Sequence, residues 1–180
     1  MAKIEIGQKM PNFKFNTGYR NDLYVKDILK GKTVFWVLRY IGCTVCRFDV
    51  HCIQQRYDEF KAKGAQVFVV MQSDQAHIQA DLKDIDLPFE IITDPEMKIY
   101  NELSIEAADS MEALVGDRLA DLQEKGGKAG ALGFKHGDYE GNEQQLPAMF
   151  IVEEDGTVSY VHYAKNIMDM PSVDEVLSML

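Results

Sequence analysis

Positive charge is scarce in this sequence. Nineteen Lys and Arg stand against twenty-nine Asp and Glu, for a formal net charge of −10 and a pI near 4.8. That balance argues against nucleic acid and anionic membrane surfaces as partners. Cysteine is scarcer still: Cys43, Cys46 and Cys52 are the whole set, too few and too odd in number for a secreted disulfide framework. No apolar run approaches the ~20 residues of a membrane span, and Met1 to Ile6 lacks the apolar core of a signal peptide. A soluble protein of a reducing cytoplasm is therefore expected. No cofactor is implied by any motif.

What is present is 180 residues, enough for one domain with a sizeable core. The chain is organised around Cys43-Thr44-Val45-Cys46. Val34 to Leu38 before it is an unbroken apolar run of buried-strand length. After it, Cys46, Val50, Ile53, Tyr57 and Phe60 recur at helical spacing. The two cysteines thus lie where a strand becomes a helix. There the free backbone N–H groups and the helix dipole favour a thiolate. Such a site lowers a thiol from ~8.5 to roughly 3.5–7.5. Arg39 and Arg47 bracket the pair and are expected to push the same way. Cys43 reads as the attacking sulfur, and Cys46, in phase with the apolar stripe, as the more buried resolving sulfur. Two inert buried thiols, or half of a zinc site, are the competing readings. The zinc reading lacks a second Cys/His pair at matching spacing.

The remaining chain supplies an alternating order of elements. Phe13 to Asn16 alternates like a short edge strand, turning at Thr17-Gly18, and Leu23 to Leu29 is a short helix or turn. A strand is expected over Thr33 to Tyr40, and a helix from Cys43 to about Lys63, stopped by Gly64. Ala65 to Met71 is a second buried strand, so strand, helix and strand make a parallel βαβ unit. Ser73 is the expected cap of a helix through Lys83. Phe89 to Ile92 is a strand, and Asp94-Pro95 should open another helix. Ala107 to Lys125 has a helical apolar face. Gly126 to Gly141 then reads as a glycine-punctuated loop, without the strand-before, helix-after context of a phosphate cradle. A lid or dimer contact suits it better. Leu146 to Val152 and Thr157 to Tyr163 form a hairpin across Asp155-Gly156, and Ser172 caps a last helix.

Taken together, several of these stretches resemble one family. Gly7-x-x-x-Pro11-x-Phe13, Gly31-Lys32-Thr33-Val34, Thr93-Asp94-Pro95 with Tyr100, and Leu146-Pro147-Ala148 followed by Asp155-Gly156 occur in the order seen in the alkyl hydroperoxide reductase/thiol-specific antioxidant (AhpC/TSA) family. The resemblance implies an α/β, thioredoxin-like fold: a central mixed sheet flanked by helices, one domain over residues 1–180, with 103–145 inserted before the last hairpin. It also implies that Pro147, across a cis Leu146–Pro147 bond, lies against the cysteines. The usual motif of such enzymes, Pro-x-x-x-Thr-x-x-Cys, is not restored in either register. With Cys46 aligned, the Pro and Thr positions hold Arg39 and Cys43; with Cys43 aligned, they hold Trp36 and Tyr40. Where a pocket arginine would be sought stand Gln144, Gln145 and Leu146. The sequence resembles instead the peroxiredoxin-like subgroup with a CxxC active site.

What the resemblance implies is a thiol-dependent antioxidant oxidoreductase. Cys43 attacks a hydroperoxide or a disulfide, Cys46 closes an internal disulfide, and a thioredoxin-type or small-thiol reductant reopens it. Arg39, the Thr44 hydroxyl, Arg47 and Pro147 are the expected supporting residues. A homodimer is expected from the family and the long insertion. A non-catalytic redox sensor or partner-binding module, whose disulfide toggles the Gly126 to Gly141 loop, is the alternative. Cys52 reads as a buried spare thiol, Trp36 as core, His51 as a surface residue and His162 as structural. Asp49, one helical turn beyond Cys46, is a candidate for proton transfer, although a solvated helix position fits it too.

Overall fold

Two long apolar runs set the middle of the molecule. In the computed structural model, which describes residues 2–180, β3 (Lys32–Val37) and β4 (Ala65–Met71) pair in parallel, with Val34 opposite Val67 and Trp36 opposite Val69. Both strands are buried on both faces, as their continuous Val- and Phe-rich runs require. The other strands are β1 (Lys14–Thr17), β2 (Leu23–Tyr24), β5 (Glu90–Thr93), β6 (Ala148–Val152) and β7 (Val158–Tyr163). They complete one mixed seven-stranded sheet in the order β2-β1-β5-β4-β3-β6-β7. Only the pairs β3–β4 and β4–β5 are parallel. The α/β, thioredoxin-like architecture is as expected.

The pleat divides the core in two, because successive side chains point to opposite faces. Val34, Trp36, Val67, Val69, Met71, Met149 and Ile151 line one face. That face receives Cys46, Val50 and Ile53 of α2 (Thr44–Gln55), followed by Tyr57 and Phe60 of α3 (Tyr57–Ala62). Phe35, Val37, Phe68, Val70, Phe150 and Val152 line the other face. There they meet Phe13, Phe15 and α5 (Lys98–Glu102). The short α1 (Val25–Ile28), α4 (Gln75–Asp81) and the C-terminal α8 (Val173–Met179) close the edges.

Four local expectations are corrected. The helix after Cys43 breaks at Arg56, whose φ of −115° and ψ of 12° are not helical. The cap of α4 is Asp74, whose carboxylate accepts from His77 N at 2.8 Å; the Ser73 hydroxyl instead accepts from Ile41 N at 2.8 Å. Pro95 does not start a helix: α5 begins at Lys98, and the Asp94 carboxylate accepts from the N–H groups of Lys98, Ile99 and Tyr100. The single helix expected over 107–125 is two, α6 (Met111–Val115) and α7 (Leu119–Ala131), separated at Gly116 with its φ of +59°.

The glycine-rich stretch differs most. Gly126, Gly127 and Gly130 lie inside α7 rather than in a loop. Helical glycine costs about 1 kcal/mol relative to Ala, so tertiary contacts hold this helix. It packs along α2, joined by the Lys125–Asp49 ion pair at 2.6 Å, with Ala129 fully buried. The chain after it, residues 132–146, is a strap that runs back over the start of α2. The ends of the 103–145 stretch meet, through the bridge between Ala107 and Gln145 and the bond from Ala108 N to Gln144 O at 2.8 Å.

Candidate active site

The end of β3 delivers the site. Leu38 N donates to Val70 O at 2.9 Å and Gln72 N to Arg39 O at 2.8 Å, so extended pairing continues past the formal strand. It then stops at Tyr40, where Cys43 N donates to Tyr40 O at 3.1 Å. Cys43 is the N-cap of α2: its sulfur accepts from Cys46 N at 3.4 Å, where a Ser or Asp side chain would ordinarily sit. The two sulfurs are 2.7 Å apart, with Cys46 donating to Cys43. Arg39 Nη1 lies 3.6 Å from the Cys43 sulfur.

These contacts divide the two thiols. The Cys46 S–H donated to Cys43, aided by the Arg39 charge and against the cost of burial, lowers Cys43 to about 6. Burial, and that same donated bond, push Cys46 well above the ordinary thiol value. At neutral pH the pair therefore holds one proton, on Cys46, and Cys43 is the thiolate. The expected difference in exposure is not found: Cys43 is 2% and Cys46 3% exposed. Polarity at the helix start separates them, rather than accessibility.

The supporting residues fare unequally. Arg39 is buried; Nη2 donates to Glu143 O of the strap, its guanidinium lies 5.1 Å from the Tyr40 ring centroid, and Nε is buried without a partner among the described residues. Arg47 points away from the thiols, correcting the expectation that both arginines act on them. It pairs with Asp81 at 2.6 Å and stacks over Phe134 at 4.8 Å, about 100° around α2 from Cys46. The Thr44 hydroxyl has no hydrogen bond to either sulfur among the described residues. Pro147 shares with Arg39, Val45, Cys46 and Asp49 the wall of a cavity of about 10 Å³, which places it near Cys46; Cys43 does not line that cavity. The Leu146–Pro147 bond is trans, however, since no cis bond occurs among the described residues. The chain enters β6 already extended, and Ala164 N donates to Pro147 O at 3.1 Å, so no tight turn is needed there.

Asp49 is not a solvated helix residue. Its side chain is 21% exposed and pairs with Lys125, itself 18% exposed, at 2.6 Å. Burial raises the Asp49 carboxyl, against the pull of Lys125. The pair walls off the small cavity beside Cys46 from a groove of about 520 Å³ whose lining includes Trp36, Cys52, Met170 and Pro171. Cys52, expected as a buried spare, is only half-buried there, and burial pushes its thiol up. Trp36 is core, as expected, and His162 Nε2–H donates to Asp169 O at 2.7 Å, tying β7 to the chain that follows it.

The strap covers Cys43 and was legible in the sequence only as a glycine-rich run. Gly137 N donates to Gly42 O at 2.9 Å. A Cβ on Gly42 would come within 2.4 Å of Asp138 O, so this crossing requires glycine. Asn142 exchanges two bonds with the Gln72 side chain, at 2.6 and 3.1 Å. The His136 Nδ1–H gives its proton to Gly137 O at 2.7 Å, leaving Nε2 to accept from the Tyr40 hydroxyl at 3.2 Å. His136 showed no partner in the sequence because its partner is 96 residues away.

Comparison with known proteins bears on the family and the fold. A family model described as the AhpC/TSA family matches residues 6–161. Among solved structures, a cysteine-to-serine mutant of peroxiredoxin 6 of Arenicola marina superposes with a TM-score of 0.73 at 17% identity, covering 98% of this chain and 71% of that one. A yeast mitochondrial 1-Cys peroxiredoxin gives 0.72 at 13% identity, covering 98% and 74%. The AhpC of Enterococcus faecalis gives 0.67 at 15%, covering 97% and 89%. At these identities the superpositions speak for the fold. No curated protein sequence matches.

Proposed function

The chain belongs to the AhpC/TSA family, and from that premise we propose a thiol peroxidase in which Cys43 is the nucleophile and Cys46 resolves it. The observation that carries the reading is the pair of buried sulfurs at 2.7 Å, one a thiolate beside Arg39 and the other a thiol. Cys43–S⁻ attacks the terminal oxygen of a hydroperoxide. The O–O bond breaks, the departing oxygen leaves as water or alcohol after taking a proton, and Cys43 becomes a sulfenic acid. Cys46 sulfur then attacks the Cys43 sulfur and releases water, and an external dithiol or two small thiols reduce the disulfide. The yeast structure concerns a thiol resolved through glutathione/thioredoxin systems, and a reductant of that class suits an internal CxxC.

Three features support a small oxidant. Cys43 is 2% exposed beneath the strap, which admits a hydroperoxide far more readily than a protein disulfide. Arg39 Nε, buried and unpartnered, is a donor for the charge that develops on the departing oxygen. Asp49 supplies a proton acceptor for Cys46, whose thiol must ionise as it attacks. Reduction of the disulfide then needs the strap to lift. The scarce cysteines fit a reducing compartment such as the cytoplasm, and a homodimer remains the expected assembly, read as twice the chain mass in light scattering at tens of micromolar. The strap also favours a second reading, a redox sensor in which the disulfide moves residues 132–146 and alters partner binding.

The test is to mix reduced protein with one equivalent of hydrogen peroxide, alkylate at timed points and identify the products by mass spectrometry. Rapid loss of both thiols in the wild type, sulfenic acid trapped on Cys43 in Cys46→Ser, and no reaction in Cys43→Ser are expected. Slow loss that becomes fast only with a disulfide substrate would make the protein a thiol–disulfide oxidoreductase. A single slow oxidation, without turnover under supplied reductant, would make it a sensor.

A further inference from the structure

Beyond the thiols, four side chains converge where the strap crosses the start of α4. His77 Nδ1 lies 2.9 Å from Asp74 Oδ1 and 3.3 Å from Glu140 Oε2, and its Nε2 lies 3.1 Å from Asp138 Oδ2. The Glu140 side chain is only 10% exposed. One of its oxygens accepts from Asp74 N at 3.1 Å, while the other, Oε1, is buried without a partner among the described residues. A buried carboxylate oxygen without a donor is costly, and its twin Oε2 is the oxygen that faces His77 Nδ1.

We propose that Asp74, His77 and Glu140 bind a divalent cation of the Zn²⁺ or Mn²⁺ kind. Their ligand atoms all lie within 4.8 Å of one another. Metal–ligand bonds of about 2.0–2.2 Å set ligand–ligand edges of about 3–3.5 Å, and the distances around His77 Nδ1 fall in or next to that range. Asp138 adds the outer contact: a metal-bound imidazole ordinarily gives its other N–H to a carboxylate, which fixes the tautomer. With the Nε2 proton given to Asp138, the Nδ1 lone pair faces two carboxylates, an arrangement that requires a cation between them or a second ring proton. Three carboxylates against one imidazole leave excess negative charge in either case. One nitrogen and two carboxylate oxygens suit hard to borderline dications and disfavour soft ones such as Cu⁺. The three ligands come from the turn after β4, from α4 and from the strap. An ion there fastens the strap that covers Cys43.

The probe is Mn²⁺, because thiolates prefer softer ions and the CxxC pair should not compete for it. The reduced full-length protein is titrated while the electron paramagnetic resonance signal of free Mn²⁺ is followed, so the readout is independent of the redox chemistry proposed above. One ion per chain with a Kd below about 1 mM is expected. Glu140→Gln and His77→Gln should each weaken binding at least about tenfold, and Asp138→Asn about tenfold. Circular dichroism in EDTA establishes that each variant is folded. His77 is one-third exposed, so His77→Gln decides the matter if Glu140→Gln does not fold. Wild-type protein that leaves the Mn²⁺ signal unchanged overturns the proposal, as does binding that survives either folded substitution at full affinity.

Discussion

Arg39 lies 3.6 Å from the Cys43 sulfur, whereas Arg47 pairs with Asp81 on the other side of α2, so the two arginines should respond differently to removal. The rate of Cys43 alkylation by iodoacetamide should rise with pH through about 6 and then level off, because only the thiolate reacts. Arg39→Met should move that midpoint upward. Arg47→Met should leave it in place and lower stability by roughly 1 kcal/mol, through loss of the Phe134 stacking and the ion pair. The sign of the linked stability follows from the lowered Cys43 value. The thiolate's contribution is present above the ordinary thiol range and lost as pH falls through about 6. At Asp49, substitution by Asn should slow disulfide closure by about a hundredfold while leaving the first oxidation of Cys43 unchanged. Quenched-flow alkylation after one equivalent of peroxide separates the two steps. Equal slowing of both would remove Asp49 from the resolving step.

At the scale of elements, α7 and the strap carry the testable consequences. Added Cβ atoms at Gly126 and Gly127 would meet nothing within 4 Å, yet both residues are helical. Gly127→Ala should therefore stabilise the protein by about 0.5–1 kcal/mol in urea unfolding. Gly42→Ala should do the reverse, because its Cβ would meet Asp138 O at 2.4 Å and the strap would have to shift. A loss of about 1–3 kcal/mol is expected, together with faster proteolysis within residues 132–146 and faster Cys43 alkylation. Unchanged alkylation with a displaced strap would show that the strap does not limit access. Gly141, with φ +65° and its Cβ position 2.2 Å from Gln72 Oε1, fixes the same segment a few residues later.

For the whole molecule, the sheet order places β4 at the centre between β5 and β3, with β6 beside β3, and leaves α6, α7 and the strap outside the sheet. Amide exchange should be slowest in Lys32–Val37, Ala65–Met71 and Ala148–Val152 and fastest in the 103–145 stretch outside α7. Oxidation to the Cys43–Cys46 disulfide should raise exchange in residues 132–146 without altering the central strands, because the Arg39 contacts that hold the strap end at the thiolate. Uniform protection across both regions would mean that the strap is as stable as the sheet. That outcome would leave no route for a large reductant.

The sequence determined the parts of the protein that rest on local periodicity. The continuous apolar runs at 34–38 and 65–71 fixed two doubly buried parallel strands. The stripe Cys46, Val50, Ile53, Tyr57, Phe60 marked the buried helical face that follows, shared by α2 and α3, and its junction with the strand marked where the thiols sit. Tertiary structure alone decided the rest, because the deciding contacts join residues far apart in the chain. The direction of Arg47 depends on Asp81 and Phe134, the burial of Asp49 on Lys125, and the helical state of Gly126 to Gly130 on packing against α2. The meeting of His77 with Asp138 and Glu140 joins positions more than sixty residues apart. Long-range contacts override local propensity where that propensity is weak, and a glycine-rich segment is where it is weakest.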